Sequence, residues 1–248
     1  MSLGEAALLV LAAFAAGALN SVAGGGSFFT FPALVLAGVP ALSANATSTV
    51  ALWPGSVAST AGYRVELAAE PERVKWLAPV SLAGGAAGAL LLLWTPVHVF
   101  EGLVPFLLLT ATLVFTFGDA VRRRLSLASR GAVTAAWAVI SVYGGYFGGG
   151  MGLLMLAALT LLGMADIHRM NALKSAMGVL VNGVAVAIFA AAGAVQWADA
   201  GLMVAGTVAG GYAGARLARR VEPKRVKPAV VAMGWALTAA FFYRWLAP

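Results

Sequence analysis

Six apolar runs, over residues 4–20, 76–94, 99–118, 131–147, 176–195 and 229–246, approach or reach the roughly 20 residues a helix needs to cross about 30 Å of hydrocarbon. A chain with so many has the lipid bilayer as the solvent for most of its surface. Lipid offers no hydrogen bonds, so every backbone N–H and C=O must be satisfied internally, which leaves helices or a closed barrel. Runs of this length select the helix. Composition agrees: 61% of the residues are hydrophobic and 10% charged, where a soluble domain carries about 25% charged residues. The expected fold class is an all-α polytopic membrane protein.

The first run begins within "MSLGEAALLV", which lacks the basic flank of a cleavable signal peptide, and leads straight into the glycine stretch, so it reads as a membrane segment. The chain has no cysteine, which removes disulfides and thiolate metal sites. A net charge of +7 invites a nucleic-acid reading, but the charges are not arranged for it. Of sixteen Lys and Arg, thirteen fall in three short stretches: Arg64, Arg73 and Lys75; Arg122, Arg123, Arg124 and Arg130; Arg216, Arg219, Arg220, Lys224, Arg225 and Lys227. Clustering in loops between apolar runs is the positive-inside pattern of a membrane protein, with no nucleic-acid partner.

An internal repeat organises the rest. "AGGGSFFTFPALVLAGVPALSANATSTVA" aligns with "FGGGMGLLMLAALTLLGMADIHRMNALKSAMG": Gly24, Gly25 and Gly26 match Gly148, Gly149 and Gly150 at an offset of 124, Gly38 matches Gly163 at 125, and Asn45 matches Asn171 at 126. "AGGAAGA" at 83–89 then matches "AGGYAGA" at 209–215, again at 126. The domain reading is an N-terminal repeat over 1–120, a basic linker over 121–130 and a C-terminal repeat over 131–248, forming one integral transport unit. Each copy holds five apolar segments: 4–20, 28–38, 44–62, 76–94 and 99–118, then 131–147, 151–163, 171–193, 200–215 and 229–246. An odd number inverts the second copy, and loop charges agree. Loop 63–75 has three basic residues and its mate 193–199 has none, loop 95–98 has none where 216–228 has six, and uncharged 39–43 is matched by 164–170 with Arg169. With basic loops inside, both termini face outward. Inverted repeats of this kind are typical of secondary transporters.

Segments 28–38 and 151–163 are too short to span comfortably. Either each crosses with its predecessor or the pair forms a re-entrant hairpin. Three glycines before each supply positive φ and close approach. The short helices beginning at about Ser27 and Met151 would then aim unpaired N–H groups and positive dipole ends at a shared anion site near the midplane. Gly84, Gly88, Gly210 and Gly214 read instead as helix-packing positions. The following segments each carry a polar stripe: Asn45, Ser48, Thr49, Ser56 and Ser59 in one, and Asn171, Lys174, Ser175, Gly178 and Asn182 in the other. Ser56 and Ser59 fit bonding to their own helix, while Lys174 fits either snorkelling or a counter-charge. His168 and Arg169 read as a solvated turn, Trp53 before Pro54 as a kink, and Glu101 and Asp119 as interfacial. No segment interior contains Asp, Glu or His, which argues against a membrane enzyme and any acid–base pair or metal centre.

The glycine turn followed by "FPAL" and "ANATST" resembles the TauE/SafE family of sulfite and organosulfonate exporters, over about residues 5–245. The first-copy motif is Gly24-Gly25-Gly26 with Pro32 and Ala46-Thr47-Ser48; the second copy has Leu156 for the proline and "NALKS" for "NATST". The resemblance implies a bacterial inner-membrane carrier that exports small sulfur-containing anions such as sulfite or sulfoacetate. Expected binding residues are Gly24, Gly25, Gly26, Ser27, Asn45, Thr47, Ser48, Thr49, Gly148, Gly149, Gly150, Asn171, Lys174 and Ser175, with no cofactor and no metal. A channel or carrier for another small anion (thiosulfate or a carboxylate) and a non-transporting membrane subunit are the alternatives. A homodimer is compatible with this reading.

Overall fold

The computed structural model describes residues 3–22, 25–124, 128–218 and 223–246, which are helical with no strand. In chain order the helices are α1 (Leu3–Val22), α2 (Ser27–Leu36), α3 (Ala41–Gly62), α4 (Arg64–Ala68), α5 (Pro71–Trp94), α6 (Val97–Arg124), α7 (Arg130–Tyr146), α8 (Met151–Leu161), α9 (Ile167–Ala191), α10 (Trp197–Ala218) and α11 (Pro223–Leu246). Four stretches, Leu3–Asn20, Pro71–Trp94, Val97–Gly118 and Ile167–Ala191, are long and apolar enough to cross a membrane. α2 and α8, of 10 and 11 residues, reach only about 15–17 Å at 1.5 Å per residue.

Helix ends extend beyond the apolar runs because caps, not hydropathy, decide them. Pro71 occupies the first turn of α5, where its missing N–H has no intrahelical role. The Asp166 carboxylate accepts from His168 N and Arg169 N and starts α9 four residues before the run at 171. The stretch 63–75, expected to be a loop, therefore contains α4 and the start of α5, and α6 runs on through Arg124. α2 and α8 end alike. Gly38 and Gly163 take φ of +86° and +78°, while Val39 N bonds Leu34 O at 3.0 Å and Met164 N bonds Leu159 O at 3.2 Å. These six-residue closures around a left-handed glycine are Schellman motifs.

Packing depends on backbone contact. Gly84 and Gly88 of α5 lie against Ser141 and Val142 of α7, and Gly210 of α10 lies against Phe14 of α1, with no space for a Cβ at any of the three. Small residues let membrane helices gain dispersion contacts that lipid alone would not reward. α3 and α9 meet at the centre, where Trp53 Nε1 donates to Val179 O at 3.1 Å across a separation of 126 residues. Thr112 and Thr238, also 126 apart, share a hydrogen bond of 3.2 Å between α6 and α11. The α7–α8 pair returns to its starting end: Ala128 N, just before α7, donates to Leu161 O, the last residue of α8, at 3.0 Å.

Candidate functional site at the glycine turns

The first turn has Gly25 at φ +89° and Gly26 as the cap of α2; Gly24 lies outside the described residues. Asn20 Oδ1 accepts the Gly26 N–H at 2.8 Å, so a side chain from α1 supplies what a regular helix would have taken from its own backbone. Gly26 O in turn accepts from Phe29 N at 2.9 Å and from the Thr30 hydroxyl at 3.3 Å. The second turn has Gly148 and Gly150 at φ +80° and +76°. Gly149 O accepts from the Tyr143 hydroxyl at 2.6 Å, and Gly150 O from Leu153 N at 3.0 Å. Left-handed geometry at three of these positions explains why glycine is required where an apolar helix would have continued.

Both turns rest on one face of α6. Gly25 faces the ring of Phe115, and a Cβ on Gly150 would lie 3.6 Å from that of Ala111, one helical turn away. Phe28 meets Phe115 edge to face at 5.2 Å, and Phe31 of α2 meets Phe147 of the second turn at 5.6 Å. Gly26, Gly149 and Gly150 are buried. The turns are thus inside the protein and joined through a small set of aromatic rings.

The first polar stripe is divided between tasks. Ser48 Oγ lies 2.6 Å from Thr30 Oγ1 in α2, and Asn45 Nδ2 donates to Tyr146 O at 2.9 Å, which ties α3 to the chain entering the second turn. Thr47 instead accepts from Gln196 N at 3.0 Å, away from the turns, and Thr49 donates to Asn45 O of its own helix at 2.9 Å. Ser27 opens α2 directly behind the turn. Ser56 back-bonds to Leu52 O at 3.3 Å, as its position suggested. The second stripe faces α8. A Cβ on Gly152 would lie 3.3 Å from Lys174 Cδ, and one on Gly178 would lie 3.8 Å from Met151 Cε. The Lys174 stem therefore runs past the first turn of α8, half-buried, with no carboxylate paired to it among the described residues. Asn171 and Ser175 flank it on the same helix, both half-buried.

Over residues 9–241 the chain matches the family model described as sulfite exporter TauE/SafE. The chain belongs to the TauE/SafE family. It is similar to a "Probable membrane transporter protein" of Haemophilus influenzae, 30% identical over 96% of this chain and 94% of that one. It also resembles "Probable membrane transporter protein ORF9" of Sinorhizobium sp, 32% identical over 93% and 90%, and "Probable membrane transporter protein YfcA" of Escherichia coli, 27% identical over 95% and 89%. No solved structure matches. As a TauE/SafE protein the chain is an integral membrane transporter and not an enzyme.

Several residues outside the glycine motif and the polar stripes take part. Asn20, Thr30 and Tyr143 are single polar groups in apolar runs, outside both polar stripes, and each bonds a glycine of the turns. Thr112 and Thr238 carried a usable signal, since their separation equals the repeat offset of 126. Arg169 is exposed, as a solvated turn requires, yet it also reaches Glu70 Oε1 at 3.4 Å and Asp166 Oδ2 at 3.5 Å, and the buried Glu70 carboxylate holds Arg73 as well. No group of three or more His, Cys, Asp or Glu among the described residues could hold a metal ion.

Proposed function

We propose that the chain is a secondary transporter exporting small sulfur-containing anions, sulfite or an organosulfonate, from the cytoplasm across the bacterial inner membrane. The carrying observation is Lys174, an ammonium without a carboxylate partner among the described residues, lying against the first turn of α8 directly behind Gly148–Gly150. A lysine stem packed on the first turn of a helix brings a cation and a helix N-terminus into one region, and both favour negative charge. Asn171 and Ser175 supply hydrogen bonds beside it; Asn45 and Ser48, through Tyr146 and Thr30, hold the two turns in register. Thr47 and Thr49 serve the framework rather than the ligand.

Two inverted repeats accompany this reading. A two-fold axis brings residues on it into contact with their own mates, which is the relation between Thr112 and Thr238 and between Trp53 and Val179. At about 17 Å, α8 is too short to cross by itself, which favours a re-entrant hairpin over two crossings. The rings of Phe28, Phe31, Phe115 and Phe147 between the turns correspond to an occluded state, which opens when those rings part. Outward movement of each negative charge releases about 2.3 kcal/mol per 100 mV, inside negative, so export needs no proton relay.

The test is thermal stabilisation of the purified chain by sulfite, thiosulfate, sulfoacetate, taurine, sulfate and small carboxylates, followed by counterflow in proteoliposomes. A ligand bound at a hundred times its Kd raises stability by about 2.7 kcal/mol. Stabilisation by sulfite or a sulfonate that disappears in Lys174→Met, with saturable counterflow, is the expected result. Stabilisation by carboxylates alone would overturn the substrate assignment, and flux without saturation would indicate a channel.

A further inference from the structure

A cavity of about 450 Å³ opens away from the glycine turns, between the N-terminal ends of α5 and α7. Its lining includes Arg73, Arg130, Trp76, Pro71 and Leu162. That volume falls in the range of sites for small molecules. Arg130 is the first residue of α7, so its charge sits at the positive end of the helix dipole, where a cation is disfavoured. Its guanidinium carbon stacks 4.5 Å from the centroid of Trp76, which leaves the N–H edge free. No carboxylate pairs with it among the described residues. The two carboxylates in the lining are already engaged: Glu70 with Arg73 and Arg169, Glu72 with Lys75. An anion in the cavity would answer the Arg130 edge and the N-terminus of α7 together.

We propose that this cavity binds a phosphate ester, its anionic oxygens held by Arg130 and by the Arg73 N–H groups that Glu70 leaves over, and its organic part by Trp76, Pro71 and Leu162. Pro71 begins a membrane span, so the cavity lies at headgroup level, where Trp and Arg are at home. The ester is therefore available as an acidic phospholipid headgroup, and in free form as glycerol phosphate. This site is separate from the one at Lys174, and its test does not depend on transport.

The full chain, purified in a neutral detergent, is titrated with phosphatidylglycerol, phosphatidylcholine and glycerol phosphate, with binding read by native mass spectrometry. Arg130→Gln keeps the Ser129 cap of α7, and Arg64→Gln, an exposed arginine outside the cavity, controls for surface charge. Phosphatidylglycerol should bind in preference to phosphatidylcholine and weaken about tenfold in Arg130→Gln, the scale of one charged hydrogen-bonding partner, with Arg64→Gln unchanged. Tight glycerol phosphate binding lost in the same variant supports the site with the free ester as its ligand. Equal retention of both phosphate esters by Arg130→Gln and the unaltered protein, or equal weakening by Arg64→Gln, would overturn it. Trp76→Leu gives a second reading, because it removes the stacked face while leaving both arginines, and should also weaken binding.

Discussion

At Gly150 a single dihedral, φ +76°, excludes nearly every other residue, although the neighbouring space at Ala111 is ordinary van der Waals distance. Gly150→Ala is expected to destabilise the protein by about 1–2 kcal/mol through backbone strain, seen as a lower unfolding midpoint in detergent. Gly25 differs, since the Phe115 ring occupies the place of its Cβ as well. Adding Phe115→Ala should therefore recover part of the steric cost of Gly25→Ala but none of the cost of its φ of +89°. Lys174 poses the opposite kind of question, charge without a visible steric role. Lys174→Met retains the stem that runs past Gly152, so folding should persist while anion-dependent stabilisation is lost; undiminished stabilisation by sulfite would remove Lys174 from the proposed site. The need for glycine could be read from three in a row, but the partner of each peptide group could not. Asn20 and Tyr143 bond the turns from six residues away, at distances in sequence that no periodicity singles out.

Among elements, α6 and α11 meet through a buried polar pair whose worth depends on both members. Thr112→Val leaves the Thr238 hydroxyl buried without its partner and should cost about 1–2 kcal/mol. Thr112→Val with Thr238→Val should recover most of that loss, so the double-mutant cycle gives a non-additive coupling; additive losses would mean that the two hydroxyls act independently. The start of α9 is held to α5 differently, by the ion pairs of buried Glu70 with Arg169 and Arg73. Arg169 is about half exposed, so Arg169→Gln is expected to cost only about 1 kcal/mol, diminishing in high salt. Element existence was legible because apolar runs and caps are local. That Arg169 serves α5 was not, because its partner is a buried carboxylate 99 residues earlier and no local pattern links the two.

For the whole molecule the inverted arrangement predicts opposite exposure of equivalent loops. The chain has no cysteine, so single-cysteine variants report cleanly. Ala192→Cys and Ala68→Cys, both at exposed positions, should react with an impermeant maleimide from opposite faces: the first in intact cells, the second only after permeabilisation. Labelling from the same face would rule out inversion. The bilayer as solvent, the helical class, the two glycine turns and the family are written in local stretches of residues, because hydrophobic length, charge placement and the need for positive φ are properties of short segments. Helix packing alone sets both turns on one face of α6, brings Asn45 to Tyr146, runs Lys174 past α8 and joins Thr112 to Thr238. Those contacts depend on which faces of long helices pack together, and in a chain apolar on nearly every side the helical period does not select a face.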